Sequence, residues 1–302
     1  MDGAVRIGID LGGTKIAAIA LDLSNQVLAE HRVAAPRHDY AATIAAICSL
    51  VEQIKQKTSP SATVGIGTPG SISPQSGLMQ NANSTWLNEK PFLKDVEAAL
   101  GKPVRMANDA DCFALSEATD GAGAGKKSVF GVIIGTGCGG GLVTHGRLAS
   151  GPHATAGEWG HTPLPWMTAR EFPGPVCWCG RPSCLETWVS GPGLAADHQR
   201  RGGDKLSARE IAGRAAKGDQ AAQKTLALHA SRLARGLAMI VNVIDPEIIV
   251  LGGGLSQMEH LYEELPGLMA PWIFSDTPNP QIAAPRHGDA SGVRGAAWLW
   301  NE

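Results

Sequence analysis

Ile7-Gly8-Ile9-Asp10-Leu11-Gly12-Gly13-Thr14-Lys15-Ile16-Ala17-Ala18 reads as a buried strand, a tight glycine turn and a second strand. The same pattern returns in Val132-Ile133-Ile134-Gly135-Thr136-Gly137-Cys138-Gly139-Gly140-Gly141-Leu142-Val143-Thr144. Internal duplication of a supersecondary unit is the sequence sign of a repeated architecture. Two α/β lobes with similar cores and a cleft between them are therefore expected. The boundary falls near Gly121-Ala122-Gly123-Ala124-Gly125, giving a first lobe over 1–120, rejoined by a last helix over 290–302, and a second over 121–289.

Around the first hairpin, residues 26–33 supply a third strand and 41–57 a helix capped by Asp39, with Ile44, Ile47, Val51 and Ile54 at helical spacing. A strand over 64–67 leads into a loop over 71–88, a helix over 92–100, a strand over 104–106 and a helix to about 119. In the second half a strand over 128–134, the glycine turn and a strand from 142 precede a helical region over 193–243. An apolar strand over 248–251 then ends in Gly252-Gly253-Gly254, and a final helix over 291–300 closes the chain.

The chain has 302 residues, enough for two ordinary cores. Its formal charge is −2 with no block of like charges, which does not indicate a polyanion-binding surface. The N-terminus lacks a basic and apolar secretory leader, and no apolar run reaches the ~20 residues of a membrane span. The six cysteines therefore point to thiols and metal ligands rather than disulfides. The expectation is a cytoplasmic enzyme.

Asp10-Leu11-Gly12-Gly13-Thr14-Lys15 joins strand to strand. It is either an ordinary hairpin turn or a cradle whose bare backbone N–H groups hold phosphates, with Asp10 placed to hold Mg²⁺ through water. Gly135-Thr136-Gly137-Cys138-Gly139-Gly140 matches a dinucleotide fingerprint in letters only, because a strand follows where that fingerprint needs a helix. Asn108-Asp109 ends a short strand, where it can cap a helix or accept a hydroxyl proton. Asp111 and Glu117 read as surface charges on that helix. Between 157 and 186, Gly157-Glu158-Trp159-Gly160-His161 precedes Cys177-Trp178-Cys179-Gly180-Arg181-Pro182-Ser183-Cys184-Leu185-Glu186. Three thiols and a histidine are the donor types of a closed tetrahedral zinc site, with His161 preferred and His153 a rival.

These pieces together resemble the ROK family of sugar kinases and sugar-responsive repressors, which has the actin/hexokinase-like (ribonuclease H-like) ATPase fold. The resemblance rests on the motifs above and on Leu251-Gly252-Gly253-Gly254, in family order. It implies a two-lobed α/β enzyme with a zinc-binding loop in the second lobe. Asp109 would be the general base, while Gly70, Asn83, Asn108, Glu158, His161 and Glu186 would bind the sugar. Asp10, Gly12, Gly13, Thr14, Lys15, Gly135, Thr136, Gly137, Gly252 and Gly253 would hold ATP, with Asp10 helping to position Mg²⁺. His161, Cys177, Cys179 and Cys184 would hold structural Zn²⁺. A homodimer is implied as well. Pro69-Gly70-Ser71-Ile72-Ser73 and the 81–88 stretch look closest to bacterial fructokinases (manno(fructo)kinases), so phosphorylation of fructose at its 6-hydroxyl is the first expectation. Glucose, mannose and N-acetylated hexosamines are the alternatives. A repressor would need a helix-turn-helix domain ahead of Asp10, and the two retained aspartates speak against an inert binding module. Ser183 stands where the family has glycine, so a positive φ there would be strained.

Overall fold

The computed structural model describes residues 5–301; the outermost positions of the expected first lobe and last helix, 1–4 and 302, lie outside them. Two compact units emerge. One comprises Met1–Ala124, Gly141–Ala156 and Arg286–Glu302, and the other Gly125–Gly140 and Gly157–Pro285. The expected boundary near 121–125 puts 141–156 in the second lobe; in the structure this excursion clusters with the first unit.

The first unit is built on β1 (Arg6–Leu11), β2 (Lys15–Leu21), β3 (Val27–Ala34), β4 (Thr63–Thr68) and β7 (Arg105–Asn108), in the order β3-β2-β1-β4-β7. β1 and β2 pair antiparallel through the glycine turn, whereas β4 and β7 run parallel to β1. The registers Asp10↔Gly67 and Thr68↔Asn108 bring the ends of three parallel strands to one edge, where open α/β sheets bind ligands. Helix α1 (Tyr40–Lys57) starts at Asp39, whose carboxylate accepts from Ala42 N, and buries Thr43, Ile47, Leu50, Val51 and Ile54 as one stripe. The loop between β4 and α2 (Phe92–Leu100) contains a small ladder of β5 (Ser71–Ile72) and β6 (Met79–Gln80).

Helix α3 (Asp109–Thr119) follows β7, and the C-terminal α9 (Ser291–Trp298) packs against it and across β1 and β4. Glycines on the sheet decide that packing: a Cβ at Gly8 would overlap Val293 O, and one at Gly65 would overlap Ala296 O. Glu117 is not a surface charge but fully buried. Its carboxylate accepts from Ala122 N at 2.9 Å, Arg286 N at 3.1 Å and Ser291 Oγ at 2.7 Å, so it ties α3 to the glycine-rich loop and to the returning chain. A helical hydrophobic pattern cannot show such a role, because all three partners are distant in sequence or backbone.

The second unit is centred on β8 (Ser128–Ile134), which is followed by β9 (Cys138–Thr144), within which the chain passes into the first unit to pair with β10 (Arg147–Leu148). β9 begins at Cys138, so the strand starts inside the glycine run rather than at 142. Helices α4 (Glu186–Val189), α5 (Gly191–Arg200), α6 (Ala208–Ala215) and α7 (Gln220–Ile244) precede β11 (Ile248–Gly252), which pairs parallel to β8 and is followed by α8 (His260–Met269) and β12 (Ile282–Ala283). Gly236 of α7 allows that helix close to Leu185 and Trp159. Among the described residues no helix is long and apolar enough to cross a membrane.

Candidate functional site

In the first unit, Asp10 ends β1 and the Leu11–Lys15 turn closes with Gly12 N donating to Lys15 O at 3.0 Å. Gly13, Thr14 and Lys15 are exposed, as a ligand-facing turn requires. Burial pushes the Asp10 carboxyl above its ordinary range, and Lys15 opposes the shift. Gly292 near the start of α9 lies against it, a Cβ there being 3.6 Å from Asp10 Oδ2. That combination suits a carboxylate that meets a cation.

Gly70 has φ +74°, and a Cβ there would overlap Gln80 O, so only glycine fits. Asn108 Nδ2 donates to Gly70 O at 3.1 Å, joining the end of β7 to the loop after β4. Asn108 Oδ1 also accepts from Ala110 N at 2.9 Å, so the N-cap reading holds. Asp109 opens α3, half-buried, with Oδ1 2.8 Å from Ala110 N. Asn83 is exposed in the neighbouring loop, where Asn88 pins Ala82 by accepting from its N and donating to its O, each at 2.9 Å. Asn88 was not among the expected site residues; its place in an Asn- and Ser-rich stretch was the only signal.

In the second unit, Gly135 N donates to Gly137 O at 3.0 Å, and Gly191 N donates to Gly135 O at 2.8 Å. Gly253 has φ +80°, and a Cβ there would lie 2.5 Å from Ile134 O, which seats the end of β11 against β8. A cavity of about 960 Å³ opens beside these turns, lined by Gly135, Thr136, Gly191, Gly254, Leu255 and Met258 among others. Its walls from α5 and α6, including Arg209, carry no motif and were missed. Gly254, rather than Gly252 or Gly253, is the part of the glycine triplet that reaches it.

Trp159 is buried, donates from Nε1 to Gly139 O at 2.9 Å and meets Phe130 edge-on, which leaves Glu158 and His161 half-buried on either side. Glu186 Oε2 accepts from Cys138 N at 2.9 Å and Oε1 from Trp178 Nε1 at 2.7 Å. A carboxylate has further lone pairs to offer a hydroxyl. Burial pushes Glu158 up, with His161 opposing and Glu186 reinforcing the shift.

The donor atoms of His161, Cys177, Cys179 and Cys184 all lie within 4.8 Å of one another. His161 Nδ1 is 3.6 Å from Cys177 Sγ, and Cys179 Sγ is 3.5 Å from Cys184 Sγ. Ligands of a tetrahedral zinc with Zn–S bonds of ~2.3 Å are separated by about 3.8 Å, so the donor set and its spacing fit the ion. Burial first, and then the neighbouring thiols, push Cys184 up to about 12, so thiolates here call for a cation. His153 is not part of the cluster; it is exposed in the excursion belonging to the first unit.

Ser183 does adopt φ +66°. Its Oγ accepts from Gly174 N at 3.0 Å, a bond glycine could not make, so the serine is integrated into the loop.

Two five-stranded sheets with the related orders β3-β2-β1-β4-β7 and β10-β9-β8-β11-β12, each with a glycine turn between its first antiparallel strands, have the actin/hexokinase-like fold of sugar kinases. The ROK family model matches residues 6–302, and the chain belongs to the ROK family. It is 39% identical to the N-acetyl-D-glucosamine kinase of Pasteurella multocida, over 98% of this chain and 99% of that protein. It is 40% identical to the enzyme of the same name from Photobacterium profundum, over 97% and 98%. Among solved structures, the ROK hexokinase from Thermus thermophilus is 31% identical, covers 98% of this chain and 97% of its own, and has a TM-score of 0.87. A ROK family glucokinase from Streptomyces griseus in complex with glucose and AMPPNP is 28% identical, with coverage of 98% and 99% and a TM-score of 0.79. The expectation of a sugar kinase stands, whereas the finer one of a fructokinase is not supported, since the Pasteurella multocida and Photobacterium profundum relatives are N-acetyl-D-glucosamine kinases.

Proposed function

We propose that this ATP-dependent hexose kinase of the ROK family phosphorylates N-acetyl-D-glucosamine, at its primary 6-hydroxyl. The observation that carries the reading is full-length similarity, at 39% identity, to a kinase named for that sugar. Phosphoryl transfer requires positioning, charge neutralisation and a base. Asp109, at the N-terminus of α3, is the base that takes the hydroxyl proton. Gly70, Asn83 and Asn108 in the first unit, and Glu158, His161 and Glu186 in the second, bind the sugar. The two glycine turns hold the phosphates of ATP, and Asp10 orients Mg²⁺. The cavity beside Gly135 and Gly254 takes the adenosine.

His161, Cys177, Cys179 and Cys184 hold Zn²⁺, which supplies structural cross-linking rather than an open catalytic position. With Nδ1 committed to the cluster, His161 keeps Nε2 for a sugar hydroxyl. Initial rates of ADP release over N-acetylglucosamine, N-acetylmannosamine, glucose, mannose and fructose test the specificity. The highest kcat/KM is expected for N-acetylglucosamine, and a higher value for any other sugar overturns it.

A further inference from the structure

A second cavity of the second unit, of about 830 Å³, lies among the 168–175 segment, α4, α5 and α7, with a lining distinct from that of the nucleotide cavity. Arg170, Arg200, Arg201, Lys224 and Arg232 line it, against Glu171 and Asp197 as the acids. The chain as a whole has more acidic than basic residues, 28 against 26, so this balance is the reverse of the molecule's.

The two carboxylates are already engaged. Glu171 accepts from Arg232 Nε at 2.9 Å and Arg235 NH2 at 2.7 Å, and Asp197 from Arg232 NH1 at 2.8 Å and Arg200 NH2 at 3.3 Å. Arg170, Arg201 and Lys224 form no ion pair among the described residues. The floor is well packed: the buried Trp188 ring lies under Arg232 at 4.4 Å and Arg200 at 5.2 Å, which orients both guanidiniums without neutralising them. Uncompensated cations converging on a concavity repel one another and focus a positive field into it, which an anion relieves. Guanidinium forks match the oxygens of phosphate. The small size of this half-open concavity, about 830 Å³, and the chain's slight negative charge favour a small anion over a nucleic acid.

We propose that this pocket binds a compact phosphate-class anion, either free phosphate or a phosphorylated hexose, at a site separate from the nucleotide turns. Calorimetric titration of the full chain, first saturated with a non-hydrolysable ATP analogue, tests it with inorganic phosphate in one arm and a hexose 6-phosphate in the other. The expected result is a site in at least one arm that weakens as salt rises. In the double variant Arg201→Glu/Lys224→Glu that site loses about tenfold or more in affinity, the scale of two lost charge-assisted contacts. Tighter binding in one arm identifies the source of the anion. Both substituted side chains are exposed, and an unchanged thermal midpoint and kcat show that the variant is folded. Absence of millimolar binding in both arms, or undiminished binding to the folded variant, overturns the proposal.

Discussion

Ser183 shows how a single residue can be read correctly for its strain and incompletely for its role. A non-glycine residue in the left-handed region costs about 1 kcal/mol or more. Its hydroxyl recovers a comparable amount through the bond from Gly174 N. Ser183→Gly should therefore change stability by less than ~1 kcal/mol, whereas Ser183→Ala keeps the strain, loses the bond and should cost about 1 kcal/mol, measured by urea unfolding. A larger loss for glycine than for alanine would refute this balance. In the proposed mechanism, Asp109 is the residue on which the chemistry turns. Asp109→Asn should lower kcat at least ~10²-fold with a smaller effect on sugar KM, and near-normal turnover would remove Asp109 from the role of base. The Asn108–Asp109 pair was legible as a strand end and helix cap, and the structure bears out the cap. The dipeptide alone could not show that Asn108 also reaches Gly70, because that contact depends on β4 and β7 pairing in register.

At the scale of elements, the His161-to-Glu186 segment was legible because metal-ligand chemistry is local: three thiols within a short loop have few other uses in a chain of this type. If the proposed zinc site couples to the sugar pocket through His161, Cys179→Ser should reduce bound zinc, measured by metal analysis, together with sugar affinity. Zinc loss with unchanged KM would place the knot's effect elsewhere. The spacer between His161 and Cys177 was not legible. It is fastened by Glu171, which accepts from Arg232, from both terminal nitrogens of Arg235 and from Thr168 N, while Arg235 also donates to Pro165 O and Trp166 O. Glu171→Ala would leave two buried guanidiniums without that carboxylate and should cost about 3–5 kcal/mol in chemical denaturation. The partners lie more than sixty positions downstream on α7, so no local pattern announces them.

For the whole molecule, two buried groups contribute to the response to acid in successive pH windows. His229 is buried with Nε2 against Val189 O, and burial pulls its pKa from 6.5 to about 4. The unfolded chain therefore takes up this proton first, and stability falls as pH drops from 6.5 towards 4. Burial raises Glu171, but the bonds from Arg235, Thr168 N and Arg232 outweigh it and hold the carboxyl at about 2 instead of 4.5. Its contribution is complete above pH 4.5 and is lost as pH falls towards 2. Each shift corresponds to on the order of 3 kcal/mol, so the urea midpoint should decline through two successive windows. In a folded His229→Gln variant the decline between pH 6.5 and 4.5 should shrink; an unchanged slope would assign it to other groups. The duplicated strand–turn–strand hairpins, the helix caps at Asp39 and Asn108, and the zinc-type donor set were determined by the sequence alone. Each depends on residues within a few positions of one another, where backbone geometry leaves little choice. Only the tertiary structure decided that Glu117 is a buried tie, that 141–156 returns to the first unit, that Glu171 fastens the spacer, and that scattered arginines and a lysine line one pocket. Those outcomes depend on which distant segments pack together, and burial and charge balance are properties of that packing rather than of any local stretch of chain.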